Sequence, residues 1–290
     1  MMRFFALLFL MTSLLFSAAT EIEVLGSGGP EIDGRASTSY LLWIDGKARL
    51  LVDMGSGSML RFEESGAELE TLEAVVLTHL HIDHSVDLPA FVKAGFFSLR
   101  REPLEIIAPF GNSYFPSINA FLQELFGKNG AYRYMGDVLT PQSDSFQIIP
   151  FEIRQNAIVT KKYRDFALQL ISVHHGIVPA LALRIEVDGK SVLISGDTND
   201  AGKNLDKIAE NADLFIAHHA IPEDAGKFAK ELHMQPSAIA RIAEQAHVKK
   251  VLLTHRMKRT LDKKQESLKI INGIYKGKVI FAEDRMRVGF

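Results

Sequence analysis

The chain has 290 residues, enough to bury a sizeable core within one domain, and its 33 basic residues are nearly balanced by 35 acidic ones. The charges are balanced and form no long run of one sign, so the sequence does not indicate the basic surface that is typical of nucleic-acid-binding proteins. Because the sequence contains no cysteine, it excludes disulfides and cysteine chemistry.

The N-terminus has the layout of a secretory signal peptide over residues 1–19. Arg3 precedes an apolar run over residues 4–16, and small residues follow up to Ala19. The run of about 13 residues is shorter than the ~20 that span a bilayer, which favours cleavage after Ala19 over a membrane anchor. No cysteine stands there to form a lipoprotein signal. We therefore expect an exported protein without stable membrane insertion, periplasmic in a double-membraned bacterium.

The remainder, residues 20–290, is predicted to be one domain of short strands with helices between them. The strand-like runs are EIEVLG, SYLLWID, ARLLVD, AVVLTH, LEIIAP, FQIIPFEI, FALQLISV, ALALRIEV, SVLISGD, DLFIAHH, KVLLTH and KVIFAED. Asp188 and Gly189 supply a two-residue hairpin turn. Helical patterns cover about 58–66, 87–99, 116–127, 203–211, 235–246 and 262–275. This order predicts an α/β (α+β) fold with two packed sheets and helices outside.

Residues 78–91, THLHIDHSVDLPAF, concentrate metal-binding side chains after one of these strands. They place His79, His81, Asp83 and His84 within six positions, in the pattern H-x-H-x-D-H. A histidine-rich surface loop is the simpler interpretation, but a pattern as specific as H-x-H-x-D-H favours a metal site. Imidazole and carboxylate groups together suit Zn²⁺, with Mn²⁺ or Fe²⁺ as alternatives.

Three later strands also end in metal-capable residues. LISVHHGIVP offers His174 and His175, VLISGDTND offers Asp197, and VLLTHRMKR offers His255. Because a strand alternates its faces, only one of the two adjacent histidines can point at a metal, and we favour His175. Neighbouring strand ends meet at one sheet edge. The whole set is too large for one zinc ion and suits two, about 3.5–4 Å apart, with Asp197 bridging them.

These motifs, in this order, resemble those of the metallo-β-lactamase superfamily. The resemblance includes SGDT at 195–198, LTH at 253–255 and the early loops VLGSGGP and LLVDMGSGS. It implies an αββα sandwich with two mixed sheets, and a dinuclear zinc hydrolase that uses a metal-bridging hydroxide as nucleophile. By position it implies that the first metal is held by His79, His81 and His175, the second by Asp83, His84 and His255, and both by Asp197.

The segment HMQPSAIARIAEQAHVKKVLLTH resembles the ribonuclease Z-like and arylsulfatase-like branch of this superfamily. In that branch a histidine, here His233, opens the helix before the last ligand strand, and the resemblance implies that it contacts the scissile phosphate. Asp83, Asp197 and His233 are therefore the candidate catalytic residues. Two features depart from the branch: His218 and His219 replace its His-Glu pair, and no long Gly/Pro-rich insert of the kind that grips tRNA is present.

The sequence thus predicts a hydrolase of phosphodiester or sulfate ester bonds. From the two departures and the balanced charge we expect a small-molecule ester substrate and no nucleic acid partner; a homodimer stays open. Hydrolysis of a carboxylic ester or lactone on the same metals is the alternative, and a non-catalytic metal-binding protein is a third. Asp53 is expected to orient a ligand histidine. For His218 and His219 two roles stay open: they either support the metal ligands or have a purely structural role.

Overall fold

The computed structural model describes residues 19–154 and 158–290, so residues 1–18 of the predicted signal peptide lie outside the described part. The strands are β1 (Thr20–Gly26), β2 (Ser39–Ile44), β3 (Lys47–Val52), β4 (Ala74–Val76), β5 (Leu104–Pro109), β6 (Ile148–Ile153), β7 (Val159–Lys162), β8 (Ala167–His175), β9 (Val178–Val187), β10 (Lys190–Ile194), β11 (Leu214–His218), β12 (Lys250–Thr254), β13 (Lys278–Phe281) and β14 (Arg287–Gly289). The α-helices are α1 (Ser58–Glu64), α2 (Ile82–Ser85), α3 (Leu88–Phe96), α4 (Ile118–Phe126), α5 (Lys227–Leu232), α6 (Pro236–Gln245), α7 (Lys258–Leu261) and α8 (Lys264–Ile274). Short 3-10 helices cover Leu69–Thr71, Arg133–Leu139 and Leu205–Lys207.

The strands form two seven-stranded mixed sheets. The first has the order β14-β1-β2-β3-β4-β5-β6 and the second β13-β12-β11-β10-β9-β8-β7. In each sheet the pairing changes from antiparallel to parallel, between β3 and β4 in the first and between β10 and β11 in the second. The predicted hairpin is confirmed: β9 pairs with β10 across Asp188 and Gly189, which both have positive φ.

Each sheet is buried on both faces, so the apolar core has three layers. One layer lies between the two sheets, and the other two lie between each sheet and the helices outside it. In β2, Tyr40 and Leu42 point into the space between the sheets, whereas Leu41 and Trp43 face the helices on the outside. A strand buried on both faces carries a continuous apolar run, which explains the sequence SYLLWI. Helices α3 and α4 pack on the first sheet, and α6 and α8 on the second. The predicted αββα sandwich is confirmed.

The sequence patterns did not locate every element. The pattern at 203–211 forms only the 3-10 helix Leu205–Lys207, because Lys203 and Asn211 adopt left-handed backbone angles and Ile208 leaves the helical region. Strands β7 and β14 and helices α2, α5 and α7 were not predicted. Within the described ranges, none of the helices is long and apolar enough to cross a bilayer.

Candidate metal centre

The predicted ligands meet around the carboxylate of Asp197, just beyond the end of β10. Asp197 is buried, with 2% of its surface exposed. The imidazole nitrogens around its Oδ2 atom are those of His255 (3.5 Å), His84 and His175 (3.7 Å each), and His79 and His233 (3.9 Å each). The carboxyl ends of β4, β8, β10 and β12 lie at one edge of the sandwich, which is why residues so distant in sequence converge here.

The H-x-H-x-D-H motif runs from the loop after β4 into the single helical turn α2, with His79 and His81 before the turn and Asp83 and His84 within it. His79 Nε2 and His81 Nδ1 lie 3.0 Å apart, so both face the same space. Helix α2 then places the Asp83 carboxylate 3.6 Å from His84 Nε2 and 3.9 Å from His255 Nε2. The motif thus supplies ligand atoms on both sides of Asp197.

The outer nitrogens of three of these histidines are held by neighbouring groups. His84 Nδ1 lies 2.8 Å from Asp53 Oδ2, and His175 Nδ1 lies 2.8 Å from the carbonyl oxygen of Leu232. His255 Nδ1 lies 2.6 Å from the hydroxyl of Thr38. These contacts fix each ring so that Nε2 points inward, the arrangement by which proteins orient metal-binding histidines.

Asp53, at the end of β3, holds the base of the motif. Its carboxylate accepts hydrogen bonds from the Thr78 backbone N–H (2.6 Å) and hydroxyl (2.8 Å) as well as contacting His84. Asp53 has φ +60°, a strained conformation for a residue with a side chain. The prediction that Asp53 orients a histidine of the motif is confirmed.

We expect Asp53→Asn to lower the affinity for zinc about 10- to 100-fold. The amide would turn one N–H₂ group toward the donors of Thr78 or His84, and the site would lose the charge that fixes the His84 ring. Competition with a chromogenic chelator measures this affinity. Asp188→Asn is the matched control because asparagine suits the same β9–β10 turn, far from the cluster. Equal zinc affinity in both variants would contradict the role given to Asp53.

Burial and charge set the protonation of the cluster. Burial holds the pKa values of His79 and His255 well below the ordinary range, so both stay neutral, the form that binds metal. Burial also acts to lower the pKa of His84, but the charge and hydrogen bond of Asp53, together with the charges of Asp83 and Asp197, outweigh it and raise this pKa to about 9. For Asp197, burial acts to raise the pKa, yet the surrounding imidazoles, His255 first, keep it well below its usual range. Asp197 is therefore an anion at neutral pH.

The residues fit a bound divalent metal. Within the described residues, the buried nitrogens that lack a hydrogen-bond partner include His84 Nε2, His175 Nε2 and His233 Nδ1. Each lies within 3.9 Å of Asp197 Oδ2, and leaving a buried polar atom unpaired costs about 1–3 kcal/mol. A metal ion would satisfy the nitrogens of His84 and His175, which belong to the predicted ligand set. Asp197 is the member shared by several groups of three whose ligand atoms lie within 4.8 Å of one another.

The other histidines take different places. His174 is exposed on the opposite face of β8 from His175. His218 Nδ1 lies 2.7 Å from Asp197 Oδ1, and its Nε2 lies 3.0 Å from the Tyr40 hydroxyl, so His218 fixes the outer oxygen of that carboxylate. His219 points away and contacts the Ser267 hydroxyl at 3.0 Å. Thus His218 supports the cluster and His219 is structural.

His233 joins the cluster from an element that the sequence misplaced. The prediction that it opens the helix before the last ligand strand is wrong: His233 ends α5, and α6 begins at Pro236 after the N-cap Gln235. Its ring is 5.2 Å from that of His175, between centroids. Burial lowers the pKa of His233 to about 4, so the ring is neutral at pH 7.

A cleft of about 300 Å³ opens directly onto the cluster. Its polar side carries members of the cluster, His233 and Arg259, and its apolar side consists of Pro30, Phe228, Ala229, Leu232 and Met257. Sequence reasoning missed this apolar side and the groups that fix the ligands, Thr38 and Tyr40. Thr38 and His255 are 217 residues apart, so no local pattern could have indicated their contact.

Comparison with known proteins decides the family. A family model described as the metallo-β-lactamase superfamily matches residues 32–255. The chain belongs to this superfamily. It is 31% identical over 251 residues to a ribonuclease Z of Mycobacterium bovis BCG, which covers 81% of this chain and 85% of that protein. Together with the ligand cluster, this makes the chain a metal-dependent hydrolase acting on ester bonds.

Solved structures show the same fold. The metallo-β-lactamase fold protein YhfI from Bacillus subtilis matches with a TM-score of 0.75 at 21% identity, over 94% of this chain and 100% of that one. The short form of human tRNase Z matches with a TM-score of 0.70 at 21% identity, over 92% and 98%. The predicted resemblance to the superfamily and to its ribonuclease Z-like branch is confirmed.

The expectation of a small-molecule ester substrate and no nucleic acid partner is wrong. It conflicts with relatives that are ribonucleases by name. The expectation rested on the two departures from the branch and on the net charge of −2, which sums over the whole surface. A net charge does not show which charged groups lie beside the cleft, where Arg259 is one of the lining residues.

Proposed function

We propose that this protein is an exported zinc-dependent phosphodiesterase that cleaves RNA at a dinuclear centre. The observation that carries the proposal is the position of Asp197, whose Oδ2 atom stands between imidazoles from the two halves of the ligand set. The ribonuclease Z relatives supply the substrate class.

We assign the ligand atoms to two sets that share Asp197. His79, His81 and His175 lie within 4.8 Å of one another, and so do Asp83, His84 and His255. Three ligands and a shared carboxylate satisfy one zinc ion, and the two sets together satisfy a pair. When bound, such ions activate water at neutral pH and stabilise the charge that develops on phosphoryl oxygens.

The chain's own residues complete the site. His218 holds Asp197 Oδ1, which orients the carboxylate so that its Oδ2, the atom that would be shared by two metal ions, stays among the five imidazoles. His233 is neutral and lines the cleft, where its ring can donate an N–H to the oxygen that leaves phosphorus. A positioned donor of this kind contributes about 10²–10³-fold to the rate.

The test combines metal analysis with a substrate panel. We expect the mature, zinc-loaded chain to contain two equivalents of zinc by elemental analysis and to cleave RNA faster than a sulfate ester, a carboxylic ester or a lactone. Asp188→Asn, in the β9–β10 turn, is the control variant and should match the wild type in zinc content and rates. One equivalent of zinc or less would contradict the dinuclear centre, and faster turnover of the carboxylic ester or lactone would contradict the phosphodiesterase.

Export is a separate part of the proposal, and it rests on the sequence of residues 1–19. We expect the protein recovered from the periplasm of a double-membraned host to begin at Thr20, because signal peptidase cleaves after small residues such as Ala19. Intact mass measurement decides this. A chain that retains Met1 and sediments with membranes would contradict export as a free protein.

A further inference from the structure

Helix α5 forms one wall of the cleft without contributing to the core. None of its six residues is buried, although the structure holds it against the metal cluster. Its C-terminal end is fixed by polar contacts: the Leu232 carbonyl lies 2.8 Å from His175 Nδ1, and the Glu231 carbonyl accepts a 2.8 Å hydrogen bond from Asn199 Nδ2. These polar contacts, rather than core packing, hold α5 at the cleft.

The side chain that α5 presents at the cleft is aromatic. Phe228 lines the cleft and is 75% exposed. Single exposed apolar residues are common, but Phe228 continues an apolar wall made with Pro30, Leu232 and Met257. The predicted metal ligands His81, Asp83 and His175 line the same cleft as this wall, so Phe228 is placed to contact a substrate bound in the cleft.

Phe228 and His233 both line this cleft, Phe228 from within α5 and His233 from the residue that follows it. His233 faces Asp197, and a phosphate held there would carry its sugar and base away from the cluster. Aromatic side chains bind single-stranded nucleic acids by stacking on their bases, irrespective of sequence.

We propose that Phe228 is a substrate-binding residue on which the base of a nucleoside next to the scissile phosphate stacks. The inference rests on the proposed RNA-cleaving function and specifies it: the enzyme takes single-stranded RNA with an unpaired base beside the cut. The base of a duplex is already stacked in its helix, so the cleft selects unpaired segments or ends.

The experiment combines protein variants with modified RNA. A short single-stranded oligonucleotide with one cleavable linkage is prepared with all bases, with an abasic nucleotide 5′ of the linkage, and with an abasic nucleotide 3′ of it. Wild type, Phe228→Ala, Phe228→Trp and the control Phe97→Ala are compared. Phe97 is also exposed, at 81%, but follows α3. Zinc content is measured for each variant.

We expect Phe228→Ala to lower kcat/KM for the complete RNA roughly 5- to 100-fold, as the loss of one stacked base does, with zinc content unchanged. Phe228→Trp restores the rate, and Phe97→Ala leaves it unchanged. One of the two abasic substrates should lower the rate of the wild type by a similar factor and show no further loss with Phe228→Ala.

Three results would overturn the inference. Equal rates for Phe228→Ala and wild type on complete RNA, or independent and additive losses on both abasic substrates, would show that the ring does not contact a base. Loss of zinc in Phe228→Ala would show a structural role. If the wild type cleaves RNA and any of these three results is found, the proposed RNA-cleaving function stands but the stacking on Phe228 does not. If the zinc-loaded wild type does not cleave RNA, the proposed function and the stacking inference both fail.

Discussion

Replacing Asp197 with alanine is expected to reduce bound zinc from two equivalents to less than one and to lower RNA cleavage on the order of 10³-fold or more. The reason is the position of its carboxylate. Oδ2 lies within 3.9 Å of five imidazole nitrogens, so both ligand sets lose their shared anion at once. Every ester in the panel should be affected together, because the loss precedes any discrimination between substrates.

Asp213→Ala is the matched control for this experiment. Asp213 is also a nearly buried aspartate of the second sheet, and it accepts hydrogen bonds from the Ser191 backbone N–H and from Lys249, away from the cleft. Its loss should lower thermal stability but leave zinc content and rates per folded molecule unchanged. Two equivalents of zinc in folded Asp197→Ala, confirmed by circular dichroism, would show that the carboxylate does not bridge the ions.

The sequence predicts the interior of the fold better than its margins. A run such as SYLLWI is almost continuously apolar, and such a run forms a strand that is buried on both faces of its sheet. Strand β7, with the sequence VTKK, lies at a sheet edge and has one pairing partner, β8. Helix α5 has only six residues and buries none of them, so its sequence carries too short a pattern to indicate a helix. Such elements depend on their neighbours, which the sequence does not display.

The site shows the same division. The ligand residues carry a local signal, because one short motif and the ends of apolar strands hold them. The residues that orient them do not: Tyr40 meets His218 across 178 positions of the sequence. The substrate was predicted wrongly for a related reason. A net charge describes the whole surface, whereas binding depends on the few groups beside the cleft, among them Arg259.

Replacing His233 with alanine is expected to leave both zinc ions in place and to slow the cleavage of RNA about 10²- to 10³-fold. The competing interpretation is that His233 is itself a ligand. Its Nδ1 is buried, lacks a hydrogen-bond partner among the described residues, and forms a group within 4.8 Å together with His175 and Asp197. Geometry alone therefore satisfies both interpretations, and zinc content separates them. If His233→Ala loses zinc, His233 is a ligand and the two-set division is wrong.

The leaving group gives the second, independent measurement. A ribose alkoxide needs a proton or a hydrogen bond as it departs, whereas a nitrophenolate is stable without one. If the neutral ring of His233 donates to the leaving oxygen, His233→Ala should slow the cleavage of RNA far more than that of bis(p-nitrophenyl) phosphate. His219→Ala is the control histidine, because its ring contacts Ser267 and does not line the cleft. Equal losses on both substrates with full zinc content would instead mean that His233 acts on the phosphoryl oxygens or on the shape of the site. The dependence on the leaving group, rather than the size of the loss, therefore decides whether His233 acts as the donor to the leaving oxygen.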